Sequence, residues 1–204
     1  MSNFYVYNSI TAKGENMGYL VLGSMGFLLL YVFDYNKVKR VHDIFQIFFM
    51  IGISLIAYAS IMIHLNPITT FSVHFWLAGI FYLLAFVSGL FMFYALFGAL
   101  PFKQTYIKTK DNHTITTGVY ALCRHPGVWG FFFLYFFLYL ATGNILMLAA
   151  CVLWTIMDIL HVWIQDQYFF PKTLKGYTDY QQNTPFLLFN RHSLKQCVSS
   201  FKRV

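Results

Sequence analysis

Charged residues are scarce in this chain of 204 residues, because Asp, Glu, Lys and Arg together make up only 10% of it. A soluble globular domain normally carries about 25% charged residues, whereas hydrophobic residues reach 58% here. This composition excludes an ordinary soluble domain and predicts an integral membrane protein. Cysteine is also scarce: Cys123, Cys151 and Cys197 are odd in number and widely spaced. They therefore predict neither a disulfide framework nor a zinc site, and no metal site is expected among the seven histidines.

Other absences narrow the organisation of the chain. Residues 1–16 lack a basic segment followed by a short apolar core, so a cleavable signal peptide is not expected. Internal repeats and low-complexity tracts are absent as well. The sequence predicts a single membrane domain. Residues 1–100 supply an N-terminal tail and three helices, and residues 101–204 supply a loop, a helical hairpin and a C-terminal segment.

Long apolar runs make up much of the sequence. Because a membrane-spanning helix needs about 20 apolar residues, we expect an all-α integral membrane protein with about five transmembrane helices. The fourth run is short, and Thr142-Gly143-Asn144 joins it to the fifth, which predicts a tight helical hairpin. The five runs lie near residues 17–33, 44–65, 72–100, 127–143 and 145–165.

The basic residues predict an orientation. With five crossings, all of the 14 Lys and Arg residues except Lys13 fall on one side of the membrane. The positive-inside rule then puts the N-terminus outside and the C-terminus in the cytosol, in a bacterial inner membrane or the endoplasmic reticulum. The net charge of +7 follows mostly from this bias. It predicts contact with membrane lipids and no nucleic-acid partner.

The C-terminal segment, from about residue 166, is too aromatic for a solvated tail. We expect it to fold back on the cytosolic helix ends. Its aromatic residues are Tyr168, Phe169, Phe170, Tyr177, Tyr180, Phe186 and Phe189.

A polar, basic segment, residues 113–130, separates two apolar runs. Pro126 suits the first turn of the fourth helix, which leaves Arg124 and His125 just outside the helix N-terminus. A helix N-terminus attracts anionic groups, and ionisable groups at a membrane edge are candidates for function. The alternative is that Arg124 reaches the lipid headgroups and His125 only caps the loop.

This segment resembles the isoprenylcysteine carboxyl methyltransferase family and its phospholipid methyltransferase relatives. The shared pattern appears as His113-Thr114, Gly118-Val119-Tyr120 and Arg124-His125-Pro126, followed by Gly130. A second block of the family is matched by Tyr177, Tyr180 and Pro185, with Gly176 displaced toward the first tyrosine. The resemblance covers about residues 100–189.

The resemblance implies a membrane methyltransferase that uses S-adenosylmethionine, with residues 101–204 as its cofactor-binding core. The cofactor would sit at the cytosolic face, between the loop before the hairpin and the C-terminal segment, and a lipophilic substrate would arrive from the bilayer. The implied catalytic residues are Arg124, His125, His161 and Asp166. The implied cofactor-binding residues are His113, Thr114, Ile115, Thr116, Tyr120, His125, Pro126, Gly127, Val128, Asp166, Tyr177 and Tyr180.

The acceptor is left open between a carboxyl, an amine and a thiol. A carboxylate is already ionised and needs no general base, whereas an amine or phenol needs one, which His125 or His161 could supply. The sequence departs from the family pattern at Val128, where an aromatic residue is usual, and at Asp166-Gln167, which replaces paired glutamates. The substrate-binding arginine expected about one turn earlier is absent, which argues against free prenylcysteine as substrate.

Two other functions remain open on the sequence. Membrane sterol reductases share a related C-terminal architecture and use NADPH, but the segment 166–189 offers only Lys172 and Lys175 for the extra phosphate. A non-catalytic protein that kept the fold is the other alternative, because Val128 and Gln167 depart from the pattern.

Helix five carries a separate polar group at Asp158, His161 and Asp166. These residues predict either a cluster satisfied by its own hydrogen bonds or a polar wall facing substrate or cofactor. On helix three, a row of small residues predicts close helix packing, with a substrate groove as the alternative. The row consists of Gly79, Ser88, Gly89 and Gly98.

Overall fold

A computed structural model describes residues 2–39, 41–98 and 113–201, with the side chains of 2–16, 98 and 201 left out. The described residues are helical, and in place of β-strands they contain isolated bridges such as that between His113 and Lys175. The all-α prediction is therefore confirmed. The chain forms two compact units: residues 1–85 with 135–161, and residues 86–134 with 162–204.

Eight α-helices follow one another along the described chain. Short 3-10 helices cover Asp43–Gln46 and Gly118–Ala121, and π-helical turns cover Tyr94–Gly98 and Gln165–Phe169. The α-helices are α1 (Ser2–Lys39), α2 (Ile47–Leu65), α3 (Phe75–Phe93), α4 (Pro126–Thr142), α5 (Ile145–Ile164), α6 (Phe170–Thr173), α7 (Tyr177–Asn183) and α8 (Arg191–Phe201).

Four helical segments are long and apolar enough to cross a membrane, which supports a membrane protein. They are Met17–Lys39, Asp43–Leu65, Phe75–Phe97 and Ile145–Thr173. Helix α4 is apolar but has only 17 residues, which gives it a length of about 25 Å. The predicted apolar runs agree with these helices to within a few residues at most of their ends.

The N-terminal boundary differs from the expectation. Residues 1–16 were expected to form a tail, yet α1 begins at Ser2 and continues to Lys39. No proline precedes Pro67 in the sequence, so nothing in this region removes a helical hydrogen bond. Helix α1 therefore continues N-terminally from its apolar part without a break.

In the first unit, α1 approaches its neighbours through glycines. A Cβ placed on Gly26 would lie 2.7 Å from the carbonyl oxygen of Gly52 on α2, and the reverse distance is also 2.7 Å. A Cβ on Gly23 would fall within the ring of Trp154 on α5. Small residues allow membrane helices to approach this closely.

The predicted glycine row on α3 does not pack in this way. A Cβ on Gly79 would meet no described atom within 4 Å, and one on Gly89 would only touch Leu134 at 3.7 Å. The side chain of Gly98 lies outside the described residues. The prediction of close packing is wrong at Gly79, because small-residue spacing marks a helix face without showing that a partner covers it.

The turn between α4 and α5 is held by the segment that precedes α3. Gly143 has a φ of +65°, and its carbonyl oxygen accepts a hydrogen bond of 2.9 Å from the Thr70 amide. Asn144 is fully buried. Its Nδ2 donates to the Ile63 carbonyl at 2.8 Å, and its Oδ1 accepts from the Ile68 amide at 3.2 Å. The predicted tight turn is therefore present, and hydrogen bonds join it both to the end of α2 and to the segment between α2 and α3.

Candidate functional site

The second unit is organised around the carboxylate of Asp166, which has no exposed surface. Three groups converge on its Oδ1 atom. The Tyr177 hydroxyl donates to it at 2.6 Å, His125 Nε2 lies 3.2 Å away, and Arg124 Nε lies 3.0 Å away as an ion pair. A buried carboxylate needs such partners, because an unpaired charge in the interior is strongly destabilising.

The other carboxylate oxygen is also occupied. The side-chain amides of Gln167 and Gln181 donate to Oδ2 of Asp166 at 3.0 and 3.1 Å. The Gln181 amide also donates to the backbone carbonyl of Asp166 at 2.7 Å. Arg124 Nη1 in turn donates to the Gln181 carbonyl at 2.7 Å. The carboxylate is thus a shared acceptor for side chains from three parts of the sequence.

Local backbone features bring these side chains together. Asp166 lies in the π-helical turn after α5, a feature that is frequent at functional sites. Arg124 and His125 directly precede Pro126 at the start of α4, as the sequence predicts. Tyr177 begins α7, where Gly176 at φ +76° reverses the chain. Arg124, His125 and Tyr177 therefore lie at the N-terminal ends of helices, whereas Gln181 lies within α7.

The two sequence blocks of the family resemblance are hydrogen-bonded to each other. The Thr114 amide and hydroxyl both donate to the Lys175 carbonyl, at 3.1 and 2.9 Å. The Tyr180 hydroxyl donates to the Tyr120 carbonyl at 2.6 Å, and the Tyr120 hydroxyl donates to the Ala95 carbonyl at 2.7 Å. The C-terminal segment therefore folds onto the loop that precedes α4.

Aromatic rings surround Arg124 and His125, which we call the basic pair. The ring of His125 is stacked on Phe170 with 6.1 Å between centroids, and it meets Phe186 edge-on at 5.1 Å. The guanidinium carbon of Arg124 lies 5.6 Å from the Phe186 centroid, within the range of a cation–π contact. These rings limit the access of water to the ion pair and so strengthen it.

The two tyrosines of the second block act as neutral donors. Burial, together with the hydrogen bond to Asp166, raises the pKa of Tyr177 far above its usual range. Burial also raises the pKa of Tyr180, and the neighbouring Tyr120 adds to the effect. Both phenols therefore stay protonated at every pH at which the protein would be assayed.

The predicted cofactor-binding residues differ in accessibility. His113 and Thr116 are exposed, whereas Thr114, Ile115, Tyr120 and Gly127 are half-buried. The buried members are His125, Pro126, Val128, Asp166, Tyr177 and Tyr180. A direct contact between Asp166 and a ligand would require displacement of its present donors. In this structure Asp166 therefore fits the role of a positioning residue better than that of a ligand contact.

An open cleft of about 640 Å³ lies beside this cluster and is lined by α7, α8 and the loop before α4. Its wall carries hydroxyl and amide side chains and the carboxylate of Asp179, and two of its residues, Thr116 and Tyr180, belong to the predicted set. Thr117, Asp179, Asn183 and Ser200 also line it. The sequence reasoning missed Asp179, although an acid between the two motif tyrosines was a usable signal, and it missed Gln181, for which the sequence offers none.

His161 makes its contacts in the first unit, whereas Arg124, His125 and Asp166 lie in the second. Its Nε2 lies 2.6 Å from Oδ2 of Asp34, and its ring meets that of Tyr31 edge-on at 4.9 Å. This geometry favours the interpretation of a hydrogen-bonded polar cluster at His161. Asp34 was not identified from the sequence, although an acid directly after an apolar run was a signal for it.

Within the described ranges, no group of three or more His, Cys, Asp or Glu side chains could hold a metal ion.

Cys123, beside the basic pair, should resist alkylation in the folded protein. Its side chain is fully buried, and burial raises the pKa of the thiol from 9.0 to about 11. Only the thiolate reacts, so this shift lowers its reactive fraction at pH 8 by about a hundredfold. Iodoacetamide labelling followed by mass spectrometry should modify the half-exposed Cys197 first and Cys123 only after denaturation. Rapid labelling of Cys123 at pH 8 in folded protein would contradict the packing around Arg124 and His125.

Comparison with known proteins adds no relative on which to base a function. No family model matches the sequence, and no curated protein or solved structure matches the chain.

Proposed function

We propose that the protein is an S-adenosylmethionine-dependent methyltransferase that acts on a lipophilic or membrane-delivered acceptor. One observation carries the proposal: the two sequence blocks that resemble the methyltransferase family meet at one buried carboxylate. Arg124 and His125 of the first block and Tyr177 of the second all contact Oδ1 of Asp166. Such a junction between distant motifs is expected if both blocks build one site.

The proposal includes the topology. Helix α4, together with the four longer segments, would complete five crossings, with the N-terminus outside and the cofactor pocket at the cytosolic face. The length of α4, about 25 Å, is somewhat less than the hydrocarbon thickness of about 30 Å. Its ends carry Trp129 and Thr142, and an interfacial Trp can adapt a short helix to the membrane surface.

The cleft fits the polar parts of S-adenosylmethionine. Its volume lies within the range of about 300–1,000 Å³ typical of small-molecule sites. Asp179 is exposed there, so its carboxylate could accept hydrogen bonds from ribose hydroxyls, a role that buried Asp166 cannot fill as it stands. Thr116, Thr117 and Asn183 add donors and acceptors for the amino-acid end. We therefore assign the acidic cofactor contact to Asp179.

The bound cofactor would supply a methyl group on a sulfonium, which an acceptor takes up by in-line displacement. The contribution of the protein is chiefly positioning, which can account for several kcal/mol of such a barrier. The contact with Asp166 fixes the orientation of the His125 ring. His125 could then hold the proton of an amine or thiol acceptor. A carboxylate acceptor would need only the fixed charge of Arg124 nearby.

Cofactor binding tests the proposal directly. Purified protein should bind S-adenosylmethionine and its demethylated product in the micromolar range by isothermal titration calorimetry. His125→Ala and Tyr120→Phe should abolish the heat, and Asp179→Asn should weaken binding roughly tenfold, as expected for the loss of one charge-assisted hydrogen bond. Asp43→Asn, which changes an exposed acid outside the site, is the control. If neither ligand gives heat or a thermal shift with the unchanged protein, the proposal fails.

A non-catalytic role is the second candidate, and the saturated environment of Asp166 favours it. A labelled-methyl assay with membrane lipid extract, with the product identified by mass spectrometry, distinguishes the two. Transfer of label excludes the non-catalytic role and identifies the acceptor. A fluorescence change with NADPH and none with S-adenosylmethionine would instead favour a reductase.

A further inference from the structure

Helix α8 has one face that contacts the rest of the second unit. Ser193 on this face is fully buried. The Ser200 hydroxyl accepts a hydrogen bond of 2.9 Å from the Gly118 amide, which holds α8 against the 3-10 helix Gly118–Ala121. These contacts fix which side of α8 faces the rest of the second unit.

A second face of α8 carries exposed apolar side chains. Leu194 and Val198, one helical turn apart, are 43% and 57% exposed. Leu188 and Phe189, in the loop that leads into α8, are 74% and 50% exposed. Four exposed large apolar side chains thus fall within eleven residues, and a concentration of exposed apolar groups marks a candidate interaction site.

Basic residues accompany this apolar face. Arg191 and Lys195 are exposed and also lie one turn apart, beside Leu194 and Val198 on the helix surface. The chain from residue 186 onward contains neither Asp nor Glu. A helix with apolar side chains beside cations matches a bilayer that contains anionic lipid. The apolar side chains can contact the acyl chains while the cations contact the headgroups.

The loop before α8 is attached to an apolar helix. Trp129 of α4 donates through Nε1 to the Leu187 carbonyl at 3.0 Å, and its ring meets Phe189 at 6.5 Å. The exposed apolar residues therefore begin next to a Trp in the first turn of the apolar helix α4. This continuity favours the bilayer over a soluble partner as the occupant of the face.

We propose that α8 is an interfacial helix that binds the surface of an anionic membrane. Leu194 and Val198 insert among the acyl chains, and Arg191 and Lys195 contact anionic headgroups. The proposal does not depend on methyl transfer, so it can hold or fail independently of the proposed function. It assigns to the C-terminal segment a lipid-binding surface on the side opposite the cleft.

Site-directed fluorescence in the full chain tests it. A Cys197→Ser background leaves only the buried Cys123 and Cys151, and Val198→Cys then carries an environment-sensitive dye. The protein is placed in phosphatidylcholine nanodiscs with or without phosphatidylglycerol. Dye at residue 198 should be quenched by nitroxide-labelled lipid, whereas dye at Ser199→Cys, which lines the cleft, should not be.

The charges provide the second measurement. Arg191→Gln and Lys195→Gln should each reduce the fraction of molecules in which α8 lies on the bilayer of phosphatidylglycerol discs. This fraction is read from lipid quenching of the dye at residue 198, and the ratio of bilayer-contacting to detached α8 should fall about fivefold per charge. High salt should weaken binding in the same direction. Two results would overturn the proposal: quenching of residue 198 by aqueous iodide but not by lipid nitroxide, or lipid quenching that does not respond to both charge removals. Dimers that protect residue 198 from both quenchers would also overturn it.

Discussion

Replacement of Asp166 by asparagine should lower the free energy of unfolding by about 3–5 kcal/mol, the usual cost of removing one partner from a buried ion pair. Arg124 would remain buried without its countercharge. The new amide would also direct a donor at Gln167 and Gln181, which themselves donate to this position. Such a loss corresponds to a fall of roughly 10 °C in melting temperature for a chain of this size.

Thermal unfolding in detergent, followed by circular dichroism without cofactor, measures this effect. Asp179→Asn is the matched control, because it removes an acid from the same unit at an exposed position. We expect its melting temperature to stay within about 1–2 °C of the parent, as for most surface changes. Equal shifts in the two variants would show that Asp166 does not hold the second unit together.

Gly143→Ala should be comparably damaging, for two reasons that can be separated. A residue with a Cβ at φ +65° costs about 1–2 kcal/mol. The new Cβ would also lie 2.2 Å from the carbonyl oxygen of Phe71, so the segment that holds the turn would have to move. We expect a loss of about 3 kcal/mol or more, since displaced backbone also weakens its hydrogen bonds.

Gly176→Ala measures the conformational cost alone, without a steric clash. Gly176 has a φ of +76°, but no atom of the described residues lies within 4 Å of the position its Cβ would take. This variant should lose only the conformational cost of about 1–2 kcal/mol. If it is destabilised as much as Gly143→Ala in the same melting experiment, the contact with Phe71 contributes nothing.

The fold was largely predictable because its signals are local. The apolar runs and the Thr142-Gly143-Asn144 turn depend on neighbours in sequence, and both appear in the structure near their predicted positions. The start of α1 was not predicted, because a polar helix without a breaker carries no apolar pattern. Packing at Gly79 was predicted wrongly, since sequence spacing cannot report which helix covers a face.

The candidate site was predictable to the extent that its motifs are contiguous. The Arg124-His125-Pro126 segment and the two tyrosines were identified. The structure brings Arg124, His125 and Tyr177 to one carboxylate, whereas Tyr180 donates to the Tyr120 carbonyl. The saturation of Asp166 could not be read from the sequence, because it depends on Gln181, which approaches only once α7 has folded back. The partnership of His161 with Asp34 was hidden for the same reason, since 127 residues separate the two.

The distance along the chain between His125 and Asp166 has a consequence for biosynthesis. The two residues are 41 positions apart, and a ribosome adds about 5–20 residues per second. Arg124 and His125 are therefore synthesised several seconds before Asp166, while α4 and α5 are still being made. During that interval Arg124 carries an uncompensated charge at the edge of a nascent helix. The same residue therefore completes the cluster only late, once Asp166 has emerged and supplies the countercharge.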